Sequence, residues 1–183
     1  MTASGGHVEN ASATLLRFYE GRGRDAAGRL FDDVLGFDHA RLESTHDFIQ
    51  WLFPLTTRSA FVPDAPVLDA AALRRFRAEP ALRERAVRAL ALMLDFYGFE
   101  LDDADPRAIR VERSARFAQR APQWMAPGDH NLRRITRILT SLRLLGLDAH
   151  AQAFFACLSE LYRERGGRIG EAAWAHWTRA MRA

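Results

Sequence analysis

The segment from Glu43 to Leu55, Glu-Ser-Thr-His-Asp-Phe-Ile-Gln-Trp-Leu-Phe-Pro-Leu, constrains the fold of this chain more than any other. Ser44 followed three residues later by Asp47 is a variant of the capping box. A hydroxyl accepts from a first-turn N–H while the acid complements the positive end of the helix. Pro54 cannot continue a helix and biases Phe53 away from the α region, so a short helix ends there. At about 100° per residue, Phe48, Trp51 and Leu52 fall on one side and Ile49 and Phe53 on the other. Only His46, Asp47 and Gln50 interrupt the apolar surface. A helix apolar on nearly every side belongs inside a protein. His46 and Gln50, one turn apart, are then polar groups in or beside a core and must find partners there.

The remaining segments read as helices that enclose this one. Residues up to about Ala11 contain Gly and Ser and are expected to be loose. Ser12 can cap a first helix bearing Leu15, Leu16, Phe18 and Tyr19, and Asp25 a second that ends at Gly36. Thr56 to Pro66 reads as an extended loop. Asp69 caps a short helix to about Ala78. Pro80 sits as the first residue of a long helix to Tyr97, with Gly98 beyond its end. Asp105-Pro106 opens an amphipathic helix with Ala108, Val111, Ala115 and Ala118 on one face and Arg110, Arg113, Arg116 and Arg120 on the other. After a loop carrying Trp124, Asp129 caps a helix that ends near Gly146. Asp148 caps another to about Arg165, and a last helix runs from about Gly170. There is no strand-like alternation and no internal repeat. The expectation is all-α: a single compact domain of about seven to eight helices, residues 12–183, around a buried central helix.

Charge and cysteine usage bound the function. Every one of the 26 basic residues is Arg. With the abundant Ala, this points to a GC-rich, bacterial coding bias and lowers the weight of any single Arg. Between Pro106 and Arg143 nine arginines stand against Glu112 and Asp129, whereas the rest of the chain is net acidic. Such a segment can meet phosphate, carboxylate or an acidic partner. The one cysteine, Cys157, cannot form an internal disulfide and fits a reducing compartment. Neither a signal-peptide pattern nor an apolar run of about 18 residues is present, so a cytoplasmic chain without a membrane span is expected.

Two helices each offer a His and an amide on surfaces that should be buried. In the helix after Asp129, Leu132, Ile135, Ile138, Leu139, Leu142 and Leu145 face the core, and Asn131 points into that apolar arc. His130, Arg134, Arg137 and Ser141 form a stripe along its edge. If this helix adjoins the one around Trp51, then His46, Gln50, His130, Asn131, Arg134 and Arg137 make a polar pocket in an apolar shell. Trp51 and Trp124 flank the cluster and complete the candidate ligand-binding set, although tryptophans in such settings serve first as core anchors. Guanidinium groups fork onto carboxylate or phosphate, so the ligand would be a small anion or a peptide carboxylate. The bland alternative is that buried His, Gln and Asn simply tie a loop to a helix.

Other chemistries are less supported. Glu43-x-x-His46 has the spacing of helical di-iron sites, but no second such pair exists and nearby arginines oppose a cation. No metal and no cofactor is expected. A His46/His130 acid–base pair is the runner-up reading, an enzyme without a nameable substrate. The Arg110–Arg120 face could bind nucleic-acid phosphates weakly, without reading bases; a solvated helix face would look the same.

Three ordered stretches carry a family resemblance. They are Glu43, His46 and Ile49 to Leu55; Met93-Leu94-Asp95-Phe96-Tyr97-Gly98; and His130-Asn131 with Arg134-Ile135-Thr136-Arg137-Ile138-Leu139. Together they resemble the conserved N-terminal region of the opioid growth factor receptor family over roughly Phe37 to Leu147, here in a bacterial-type standalone form. The resemblance implies an all-helical domain and, for the animal members, binding of an enkephalin peptide. It implies no known chemistry.

Overall fold

The computed structural model describes residues 11–182 apart from 60, 61 and 63; the N-terminal stretch expected to be loose therefore lies outside the described residues up to residue 10. Ten α-helices and one two-stranded sheet are present among the described residues. In chain order they are α1 (Ala11–Tyr19), α2 (Phe31–Leu35), α3 (His39–Ser44), α4 (Ile49–Leu52), α5 (Ala70–Ala78) and α6 (Pro80–Tyr97). The hairpin β1 (Phe99–Asp102) and β2 (Arg110–Arg113) follows, then α7 (Phe117–Arg120), α8 (His130–Leu144), α9 (Asp148–Ile169) and α10 (Glu171–Arg182). No helix among the described residues is long and apolar enough to cross a membrane.

Several boundaries are set by the residues that announce them. Asp69 Oδ1 accepts from the N–H of Ala72 at 2.8 Å, and Asp129 Oδ1 from that of Asn131 at 2.8 Å, each satisfying a first-turn donor. Pro80 opens α6, where its missing N–H costs nothing. Gly98 closes α6 in the left-handed region at φ 88°. A Cβ there would lie 2.8 Å from Cα of Phe117, so the site also requires close backbone approach.

Four other expectations are overturned. Ser44 does not cap the central helix: it is the last residue of α3, whose own cap is Asp38, accepting from Arg41 N–H at 2.8 Å. The segment from Asp25 is a turn before it is a helix. The buried Asp25 carboxylate accepts from the N–H groups of Ala27 (3.0 Å) and Arg29 (2.8 Å) and from the Arg29 guanidinium, which holds the backbone out of helix until Phe31. Ser12, within α1, ties that helix to the chain before α5: its hydroxyl donates to Val67 C=O and accepts from Asp69 N–H. The expected amphipathic helix after Asp105 is replaced by the antiparallel hairpin, with Leu101 opposite Val111 and only a short α7 after it. Val111 and Phe99 bury their side chains from a strand register that the helical wheel cannot show.

The core is one contiguous cluster that runs from Leu15 to Ala180. On one side of α4, Phe18, Tyr19, Phe31, Trp51 and Phe76 pack in edge-on and tilted pairs at centroid distances of 4.8–5.3 Å. On the other lie Ile135, Ile138, Leu139 and Leu142 of α8, all fully buried. The segment around Trp51 is thus interior, although its helix is a single turn.

Candidate functional site

Two helices end within ten residues of one another at the α3–α4 corner, and helix ends leave carbonyls without partners. α8 supplies the donors. Arg134 is buried and donates from Nη1 to Leu42 C=O (2.9 Å) and Asn131 Oδ1 (3.1 Å), and from Nη2 to Thr45 C=O (2.7 Å). Its guanidinium lies 5.3 Å from the centroid of the Phe48 ring. One turn on, Arg137 Nε donates to Phe53 C=O at 2.8 Å, and a further turn on, the buried Ser141 hydroxyl donates to Pro54 C=O at 2.9 Å. From the opposite side the Tyr19 hydroxyl donates to Leu52 C=O. Asn131, fully buried, donates to Glu43 Oε2 at 3.1 Å. Most of the polar stripe on α8 therefore terminates the helices that precede it.

What this scaffold leaves open is a groove of about 330 Å³ between the α4 turn and α8. Ile49 and Gln50 form one wall, Arg133, Arg134 and Arg137 the other, with His46 and His130 at the mouth. No Asp or Glu is among the described lining residues. The Gln50 amide donates to the carbonyls of His46 (3.1 Å) and Asp47 (3.2 Å). The two imidazoles stand edge to face, 5.2 Å between centroids. Because Arg134 can only donate, the 3.3 Å contact from its Nη2 makes His46 Nδ1 the acceptor and puts that ring's proton on Nε2.

Electrostatics distinguish the three arginines. Arg134 is consumed by carbonyls. Arg137 spends Nε on Phe53, but its Nη groups have no hydrogen-bond partner among the described residues, and burial alone pushes its pKa down to about 10. Arg133 is exposed and makes no ion pair among the described residues. His130 is held below the ordinary histidine range by burial and by the Arg134 charge. Its buried Nε2 lies 3.5 Å from Glu43 Oε1 without the alignment of a hydrogen bond.

Of the eight residues expected at the site, His46, Gln50, His130, Arg134 and Arg137 line the groove, and Asn131 lies behind it. His46 is exposed at the rim, not buried as the helical wheel suggested, because it precedes α4. Trp51 and Trp124 are placed elsewhere. Trp51 faces Phe18 at 5.3 Å, and Trp124 Nε1 donates to Tyr97 C=O at 3.0 Å inside the core. Arg133 went unremarked in the sequence. Its position four residues before Arg137, on the same helical face, was the available signal. The basic Arg110–Arg120 face does not form. Arg113 pairs with Glu164 (2.9 Å), Arg116 with Asp95, and Arg120 Nε donates to Phe96 C=O (2.8 Å). Glu43 ends up in α3 and His46 beyond its end, and no group of three or more His, Cys, Asp or Glu among the described residues is arranged to hold a metal ion.

Comparison with known proteins places this arrangement in a lineage. The sequence pattern of the opioid growth factor receptor (OGFr) conserved region matches residues 9–182. The rat opioid growth factor receptor is 41% identical over 129 residues, 69% of this chain and 21% of the rat protein. The human opioid growth factor receptor is 41% identical over 112 residues, 61% of this chain and 16% of its own length. Opioid growth factor receptor-like protein 1 of Xenopus tropicalis is 35% identical over 111 residues, 61% of this chain and 21% of its own. The chain thus spans about a fifth of the length of these relatives. No solved structure matches it. Matched along nearly its whole length, the chain belongs to the opioid growth factor receptor conserved-region family.

Proposed function

We propose that this chain is a binding module, one helical domain over residues 12–183, whose groove between the α4 turn and α8 receives the anionic group of a small molecule or peptide. One observation carries the reading. Arg137 and Arg133 line a cavity with no carboxylate among its described lining residues, and the Nη groups of Arg137, on a half-buried side chain, have no protein acceptor among the described residues. A half-buried guanidinium of that kind is costly unless an anion completes it. Ile49 offers an apolar wall beside it, as a peptide side chain or the hydrocarbon part of a metabolite requires. The relatives are named as receptors of an opioid growth factor, which favours a peptide among the candidates. The single buried Cys157 suits a reducing, cytoplasmic setting.

A thermal-shift screen of carboxylate and phosphate metabolites, with short peptides carrying free or amidated C-termini, tests the reading. Hits lost in Arg137→Met, with folding preserved, support it. A screen in which no anion raises the melting temperature, or in which hits survive Arg137→Met unchanged, overturns it.

A further inference from the structure

We propose that the group taken by this groove is a phosphate monoester dianion, held by Arg133, Arg137 and the Nε2–H of His46. The inference rests on the anion-binding reading above and goes beyond it to the class of anion. Three independent donor groups remain once the scaffold has used the others. Arg134 is excluded, since both of its Nη atoms are committed to carbonyls, to Asn131 and to His46. Gln50 donates to its own helix entry. Besides Ser59, and His130 whose Nε2 faces Glu43, the lining offers the Nη pair of Arg137, the guanidinium of Arg133 one turn away, and the His46 Nε2–H fixed by its tautomer.

A carboxylate has two oxygens and one charge. It satisfies one guanidinium fork and leaves the second without a counter-charge. A phosphomonoester carries three terminal oxygens and, above its second pKa of about 6, close to two charges. It matches three donor groups and two unpaired guanidiniums. No lining carboxylate repels it. The groove also differs from a helix N-terminal phosphate site: the donors are side chains, two from α8 and one from the segment before α4, so recognition does not depend on the helix dipole.

The test is calorimetry on the whole chain at about pH 7.5, where the monoester is a dianion, with phenyl phosphate against phenylacetate as a matched pair. Inorganic phosphate, adenosine 5′-monophosphate and a phosphoserine peptide form further arms that distinguish the source of the phosphate. The expected result is phenyl phosphate binding about tenfold or more tighter than phenylacetate. That preference should collapse in Arg137→Met and in Arg133→Ala, the latter altering only an exposed residue. Phenylacetate binding equally well or better sinks the phosphate assignment while the anion groove stands. Binding of neither removes both. A phosphate preference unchanged in Arg133→Ala and Arg137→Met also refutes the site.

Discussion

Nη2 of Arg134 lies 2.7 Å from the carbonyl oxygen of Thr45, so a guanidinium in the first half of α8 terminates a helix that ended 89 residues earlier. The same side chain satisfies Leu42 C=O. Arg134→Met keeps much of the packing but strands both carbonyls, each at about 1–3 kcal/mol. Urea unfolding should show a loss of about 2–4 kcal/mol. Arg134→Lys should recover less than half of it, because a single ammonium nitrogen does not reproduce the rigid fork that serves the two carbonyls from separate Nη atoms. A loss under about 1 kcal/mol would place the corner's stability elsewhere.

Trp124 separates stability from binding. Its indole N–H satisfies Tyr97 C=O and its ring packs 5.2 Å from that of Tyr97, away from the groove. Trp124→Phe removes the donor and part of the ring, at a cost of about 1–3 kcal/mol. Whichever anion the screen identifies should bind this variant within about twofold of wild type, less than 1 kcal/mol. A tenfold loss of affinity with the fold intact would return Trp124 to the site.

Gly98 and Gly128 share positive φ, 88° and 83°, but not surroundings. At Gly128 an added Cβ meets nothing within 4 Å, and at Gly98 it meets Cα of Phe117 at 2.8 Å. Gly128→Ala should cost about 1 kcal/mol of left-handed strain. Gly98→Ala must also displace α7 from α6, and should exceed about 2 kcal/mol. Equal melting temperatures for the two variants would refute the close-approach explanation.

Acid should weaken the fold through its half-buried imidazoles. His150, with a side chain 13% exposed, is held below the ordinary histidine value by burial, against the opposing pull of Asp103 at 4.0 Å. Its folded state binds protons less readily than the unfolded chain, so its contribution to stability rises with pH. That contribution is present above the unfolded value of about 6.5 and is lost as pH falls through the lower folded pKa. His130 is shifted in the same direction. An NMR titration should give a His150 midpoint under the free-histidine value. His150→Gln should lose less stability than wild type on acidification below pH 6.5. A midpoint above that value reverses the sign and refutes the account.

Legibility differed by the range of the interaction concerned. The Asp69 and Asp129 caps, Pro80 at the head of α6 and Gly98 at its end rest on bonds within one turn, and the residues declare them directly. Ser44 failed as a cap because Asp38 starts a helix earlier and Ser44 is already inside it. The hairpin after Gly98 was invisible because Arg110 to Arg120 fits a helical wheel about as well. Pairing of Leu101 with Val111 against α9 decides the matter, and that is non-local. At the groove, His46, Gln50, His130, Arg134 and Arg137 were readable as polar residues interrupting apolar faces. Arg133 was not, since an exposed arginine in a chain without lysine carries little signal on its own.

By itself, then, the sequence determined that the chain is helical, that the Trp51 segment lies in its interior and that α8 turns an edge of polar residues toward that segment. These follow from periodicity and from the cost of burying unpaired polar groups. Tertiary structure alone decided how each arginine on that edge is spent. Arg134 and Ser141 close carbonyls from α3 and the α4 turn, Arg137 closes one with Nε and keeps its Nη groups open to the groove, and Arg133 is open altogether. Residues with the same side chain on the same helix differ only in which distant backbone atom lies within 3 Å, and no local pattern encodes that distance.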